Sequence, residues 1–381
     1  MSWNKLVQRA ACSVQRNPPL SPFNKGGRRG ILQWTMYYAL CTVFLSGCVQ
    51  KQYKETRLLM GTIVEITVRG NEIKARDAAD KAFRKIAELE KMLSVYRNDS
   101  EISVLNRTGK VNPSPEFMEV MKESVRAGDI TEGAFDITVA PMVNLWGFGP
   151  QKTVDRLINP CVKIGSLKVN LAGSSSIVDS KKNEKKGQSV KVIPEEKEIK
   201  KALESINYKN IGIDEKNNLI YFKKKGMQIN LGGIAKGYAV DKAIEVLKKE
   251  GIKRAIVNAG GNLYAMGTTW HIGIKNPRKE GILKTITLKD KAVATSGDYE
   301  RFFISTYKGK QKRFHHIFDP RTGYPAEECI SATAIAPTGV ESDWLSTGVF
   351  VLGPEKGLAL IKKLGYKGII IDSKEEILTA E

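Results

Sequence analysis

Histidine and cysteine are scarce in this chain, with three and five copies among 381 residues. Beyond Cys48 only Cys161 and Cys329 remain, and their spacing has no metal-site form. That excludes a thiolate metal centre and a disulfide-dense scaffold; one disulfide is conceivable, and two buried thiols are the simpler reading. No segment repeats at solenoid period, and no P-loop or alternating-glycine dinucleotide fingerprint is present. Acid is short as well: 41 Asp and Glu stand against 61 Lys and Arg, a net charge of +20. Without a nucleic-acid motif or a basic stripe interleaved with aromatics, that excess reads as a lysine-rich solvated surface suited to an anionic ligand or acidic membrane, with no nucleic-acid partner. The 41% hydrophobic content is enough to bury a substantial core.

Part of the charge belongs to the N-terminus. Residues 1–47 carry Lys5, Arg9, Arg16, Lys25, Arg28 and Arg29 and no acid; removing those six from the 61 basic residues leaves 55 against 41 acidic, or +14. Arg28 and Arg29 precede an apolar run, 36–45, that is too short to span a bilayer comfortably and ends in small residues. Charged, apolar, small is the order of an export signal. Leu45-Ser46-Gly47-Cys48 resembles the bacterial lipobox, which implies lipidation of Cys48 and a protein exported and lipid-anchored to the bacterial inner membrane, facing the periplasm or cell exterior. Met36 is an alternative start to Met1.

After a polar tether at about 48–56, residues 62–68 alternate as a strand, led in by Met60-Gly61. Ala82, Phe83, Ile86, Leu89 and Leu93 share one helical face, and Phe117, Val120, Met121 and Val125 another. The apolar segment 133–140, with Pro141 and Trp146-Gly147-Phe148-Gly149 behind it, predicts a strand and turn beside a ligand. Residues 157–193, serine- and lysine-rich, predict an exposed insertion. A short helix from Ile199 and strands at 219–222, 255–258, 270–274, 282–288, 292–295, 330–336 and 368–371 follow. Short strands with helices clustered between them predict an α+β fold, mostly antiparallel sheets with packed helices.

Three constellations carry chemistry. Asn230-Leu231-Gly232-Gly233-Ile234-Ala235-Lys236-Gly237 sets a glycine corner and a lysine at the start of an amphipathic helix, where free N–H groups and the positive dipole end suit phosphate. Asp343 and Thr347, four apart, share one helix face as an oxygen-only pair suited to Mg²⁺; helix capping by Ser342 or Asp343 is the plainer alternative. His315 and His316 are adjacent, and if 314–318 is a strand they point to opposite faces, so one alone can address a pocket. His316 is the candidate base.

Together these segments resemble the bacterial flavin transferases of the ApbE family. The matching segments are Met60-Gly61-Thr62, Gly133-Ala134-Phe135-Asp136 with Trp146-Gly147-Phe148-Gly149, 231–237, His316-Ile317-Phe318-Asp319-Pro320-Arg321-Thr322-Gly323, and Asp343 to Thr347. The resemblance implies a tandem T-fold-like catalytic domain over 57–375, leaving a tail at 376–381. It implies a FAD site formed by Met60, Tyr96, Ala134, Phe135, Asp136, Asn230, Lys236 and Phe318, and Mg²⁺ held by Asp343, Thr347 and the Gly233 carbonyl. The implied activity is transfer of FMN from FAD to a threonine or serine of an acceptor flavoprotein, releasing AMP, with His316 assisting deprotonation and Asp319 orienting it. A FAD pyrophosphatase and a non-catalytic flavin-binding lipoprotein are the alternatives. Two departures are Asn230, where the family often has Asp, and the insertion.

If Cys48 is the lipidated residue, Cys48→Ser moves the protein from the membrane to the soluble fraction on cell fractionation; unchanged fractionation rejects the assignment.

Overall fold

A computed structural model of the chain describes residues 52–149 and 193–381. Cys48, Cys161, the expected export segment and nearly all of the expected insertion lie outside the described residues. In chain order the elements are β1 (Gln52–Leu59), β2 (Thr62–Arg69), α1 (Glu72–Leu93), α2 (Glu101–Thr108), β3 (Lys110–Val111), α3 (Pro115–Ile130), α4 (Ala140–Leu145), α5 (Glu196–Leu203), β4 (Ile211–Asp214), β5 (Leu219–Phe222), α6 (Ala235–Lys249), β6 (Ala255–Ala259) and β7 (Asn262–Met266). They continue with β8 (Trp270–Lys275), β9 (Ile282–Leu288), β10 (Lys291–Gly297), β11 (Phe302–Tyr307), β12 (Lys310–His315), β13 (Cys329–Ala336), α7 (Gly339–Leu352), α8 (Pro354–Lys363), β14 (Lys367–Asp372) and β15 (Ile377–Ala380).

The main sheet has eight strands in the order β1-β2-β6-β7-β10-β13-β14-β15, every neighbour antiparallel. Side chains alternate across it. Val257, Tyr264, Ala292, Ala334 and Ile370 enter one core with α1, α3, α6 and α7, whereas Ile256, Leu263, Val293, Ile335 and Ile369 enter a second beneath the β8–β9 hairpin. Covered on both faces, the central strands read as apolar runs, which is why β13 is buried at all eight positions. A third, aromatic cluster joins Met142, Trp146, Phe148, Ile199, Phe314 and Phe318 under the β11–β12 hairpin. The α+β architecture with antiparallel sheets is therefore as expected.

Four local expectations need correction. The tether is structured from Gln52 onward, because the alternating residues of β1 pair with β2 from Gln52↔Arg69 to Leu59↔Thr62. Met60 and Gly61 close this hairpin with φ of 54° and 68°, the left-handed pair that matches strand twist. The tail at 376–381 contains β15, which extends the sheet beside β14. Segment 133–140 is a turn and a short 3₁₀ helix at Ile137–Val139, not a strand: Asp136 caps that helix and Pro141, lacking an N–H, sits in the first turn of α4. The strand expected over 314–318 ends at His315.

Helix α7 starts at Gly339, four residues before Asp343, and Thr338 is its cap, accepting from the Glu341 N–H at 3.2 Å. It crosses α6 at bare backbone: a Cβ on Gly237 would lie 2.1 Å from the Gly339 carbonyl oxygen, and one on Gly339 would lie 2.5 Å from the Gly237 oxygen. No side chain can enter that contact without separating the helices. Gly237→Ala is expected to lower unfolding free energy by roughly 1–3 kcal/mol in chemical denaturation; a variant as stable as the parent refutes the contact.

Candidate active site

A buried carboxylate, Asp343, and a half-buried one, Asp241, frame the crossing of α6 and α7. Asp343, on α7, has 4% of its surface exposed. Its Oδ2 accepts the Gly237 N–H at 2.8 Å, so it caps α6, which has no side-chain cap of its own. The reading that Asp343 caps its own helix is therefore corrected. Asp241, on α6, answers from the other side: its oxygens accept the N–H groups of Gly339 at 2.6 Å and Val340 at 2.8 Å, at the start of α7. Burial raises both pKa values, that of Asp241 to about 6, while the N–H donors of the opposite helix pull each down, helped at Asp343 by the Lys236 charge.

The second oxygen of Asp343 faces Lys236 Nζ at 4.0 Å. Lys236 itself folds back to donate to the Gly232 carbonyl at 2.9 Å, and the Asn230 side-chain oxygen accepts the Gly232 N–H at 2.8 Å. That acceptor is one that Asn and Asp supply alike, so the turn is indifferent to the departure at Asn230. Gly233 is pressed into the same place: a Cβ there would sit 3.1 Å from both Thr347 Oγ1 and the Phe135 ring. Thr347 Oγ1 also lies 3.1 Å from Ser296 Oγ of β10 and 3.4 Å from the Asp343 carbonyl oxygen.

Asp343 and Thr347, with Gly233 packed against Thr347, offer oxygen donors with one carboxylate and no imidazole or thiolate, a chemistry that fits a hard cation such as Mg²⁺. Among the described residues no three His, Cys, Asp or Glu side chains gather as a metal cage. A cation here would complete its shell with water or a ligand's phosphate oxygens.

The adjacent histidines have separate jobs. His315 is buried and satisfied: its Nε2–H donates to the Ala326 carbonyl at 2.7 Å and its Nδ1 accepts the Ile317 N–H at 3.3 Å. His316 is half-buried, and its Nδ1 lies 3.2 Å from the Arg301 carbonyl oxygen. A carbonyl can only accept, so Nδ1 carries the hydrogen and Nε2 is left with a lone pair. Loss of solvation, then the Arg301, His315 and Lys236 charges, lower its pKa to about 3. The ring is neutral at physiological pH.

Phe318 and Phe148 wall the histidine, their rings 6.0 Å apart and Phe148 6.4 Å from the imidazole. Ala134 and Phe135 are buried in the turn before α4, with Phe135 against the glycine corner. Strand register puts the Met60-Gly61-Thr62 turn, the Gly260-Gly261 turn and Ser296 at one end of the main sheet. Tyr96, in the turn between α1 and α2, is 53% exposed.

Two expected roles do not hold as stated. Asp136 is consumed internally, its oxygens accepting from the Thr138 N–H and hydroxyl at 2.7 and 2.6 Å and from the Tyr208 N–H at 2.9 Å. Asp319 does not orient His316: both its oxygens accept from the Arg321 guanidinium at 2.8 Å and one also from the Arg321 N–H, closing the turn. Sequence reasoning missed Ser296, Arg301 and Asp241. Only Asp241 left a signal, an acid one helical turn after Gly237.

The chain matches the model of the ApbE family over residues 60–370. It is 32% identical to the FAD:protein FMN transferase of Haemophilus influenzae over 284 residues, 71% of each chain, and 27% identical to that of Escherichia coli K12, covering 85% of this chain and 88% of the other. Its fold is similar to the crystal structure of the ApbE protein from Thermotoga maritima, at 31% identity and a TM-score of 0.72, and to the flavin transferase ApbE from Vibrio cholerae, at 25% and 0.68; each comparison covers 87% of this chain and 97% of the other.

A proton affinity that falls on folding, from near 6.5 to about 3, makes stability decline as pH drops through that window, because the unfolded chain binds a proton that the native chain does not. The His316 imidazole is expected to remain neutral at pH 5 in an NMR titration of the free protein; a midpoint near 6.5 contradicts this environment.

Proposed function

The chain belongs to the ApbE family, and from that membership we propose that it is a FAD:protein FMN transferase, moving FMN to a serine or threonine of an acceptor flavoprotein. The observation that carries the reading is the pairing at the glycine corner: Lys236, at the start of α6, stands 4.0 Å from the buried carboxylate of Asp343, and the imidazole of His316 keeps a lone pair on Nε2. Such a place holds a diphosphate and activates a hydroxyl at once.

The FAD diphosphate lies against Lys236 and the start of α6, where side-chain charge and helix dipole offset its negative charge. Nε2 of His316 accepts the proton of the acceptor hydroxyl. The hydroxyl oxygen bonds to the FMN-side phosphorus as the bond from that phosphorus to the bridging oxygen breaks, and AMP departs with that oxygen. The product is a phosphoester-linked flavin. Mg²⁺, held by Asp343, Thr347 and the Gly233 carbonyl, would neutralise diphosphate charge and so favour the leaving group. Phe318, Phe135, Ala134, Met60 and Tyr96 supply apolar and aromatic surface for the flavin and adenine rings. We further assign Cys48 as the lipid anchor that keeps the exported enzyme at the membrane surface beside its acceptor.

Asp343 has two roles that substitution separates. Asp343→Asn keeps an oxygen to accept the Gly237 N–H but removes the charge, so it is expected to fold like the parent while flavin transfer falls by roughly a hundred-fold or more. Covalent flavin on the acceptor, followed by in-gel fluorescence with and without chelator, measures this; full activity in that variant, or in chelator, rejects the metal assignment.

A further inference from the structure

The β11–β12 hairpin pairs with no other strand among the described residues. Its register runs from Phe302↔His315 to Tyr307↔Lys310, and the His316 N–H bonds to the Arg301 carbonyl one step further on, at 3.1 Å. Bonded pairs alternate in an antiparallel ladder, so the backbone N–H and C=O of Phe302, Ile304 and Thr306 point away from β12. Among the described residues that edge has no strand partner. It carries exposed apolar side chains, Ile304 at 60% and Phe302 at 40%.

The hairpin is also basic. Between residues 300 and 316 stand Arg301, Lys308, Lys310, Lys312 and Arg313 against one acid, Glu300. Lys312 pairs with Glu327 and Arg313 with Asp298. Neither Lys308 nor Lys310 has a carboxylate partner among the described residues. The other face is fixed, since Phe303 stacks on Phe148 and Phe314 with centroids 5.7 and 5.4 Å apart. The edge is therefore presented on a rigid base that ends at His316.

We infer that the outer edge of β11, which no strand among the described residues pairs, docks the acceptor protein, which adds an extended, acid-flanked segment there and so brings its hydroxyl to the imidazole of His316. Backbone pairing supplies affinity without reading sequence, and the unpaired lysines select negative flanks. A strand laid beside β11 runs off its Phe302 end past Arg301, whose carbonyl holds His316. The chemistry at the end of the dock rests on the transferase reading; the dock itself is testable apart from it.

The probe is a labelled ten-residue peptide with one threonine flanked by aspartates, compared with a counterpart flanked by lysines. Fluorescence anisotropy with the full chain reads binding, and mass spectrometry of the same peptides with FAD and Mg²⁺ reads covalent flavin. The parent is expected to prefer the acidic peptide. Lys308→Glu with Lys310→Glu should weaken that binding roughly ten-fold and favour the lysine-flanked peptide. Ile304→Pro removes an edge N–H that β12 does not use, so it should abolish binding with the hairpin intact. FAD affinity in both variants should stay within roughly two-fold, because the FAD contacts lie elsewhere. Equal binding of both peptides by the parent, or unchanged binding of the acidic peptide in the double variant, overturns the dock and leaves those lysines only guarding the edge from self-pairing. Binding with this charge preference but no covalent flavin keeps the dock and sinks the transferase reading.

Discussion

The site depends on the exchange of caps between α6 and α7. Each helix lends an aspartate to the other's first turn, the buried Asp343 to the Gly237 N–H and the half-buried Asp241 to those of Gly339 and Val340, and the exchange works because two glycines let the backbones touch. A carboxylate at a helix N-terminus meets free donors and a positive dipole, which offset much of what burial costs its charged form. Since only one oxygen of Asp343 is consumed by Gly237, the second is held in a fixed place facing Lys236. The glycine corner, Thr347 and Ser296 then assemble around a carboxylate whose position is set by two helices.

The parts that could be read from sequence were those whose geometry is local. The four-residue spacing of Asp343 and Thr347 put them on one face of α7, and the glycines before Lys236 marked a helix start. Adjacent histidines were expected to diverge, and they do: one is closed by Ala326 and Ile317, the other is half-buried with only its Nδ1 bound, to the Arg301 carbonyl. What could not be read were partners brought from far along the chain. Asp343 caps a helix 106 residues away, and Asp136 gives an oxygen to Tyr208, 72 residues on. An acid in a ligand-like motif looks the same in sequence whether it meets a substrate or a backbone N–H. Asp136 and Asp319 went to the backbone and to Arg321.

Edges were misjudged for a related reason. Polar alternation in 52–59 resembles a solvated tether, because an edge strand with one wet face shows only half of a buried strand's apolar residues. Its partner β2 is what makes it a strand. Conversely, the apolar 133–140 looked like a strand because periodicity does not register a proline without a donor or an aspartate that caps the next turn.

Burial and charge together set the state of His316. Loss of solvation first, then the charges of Arg301, His315 and Lys236, depress its proton affinity, so in the free protein the imidazole is neutral but a feeble base. Nδ1 stays committed to the Arg301 carbonyl throughout, so the proton has one entry point, Nε2. Because that carbonyl is the base of the β11 strand, the tautomer of the base and the orientation of the hairpin are set by the same hydrogen bond.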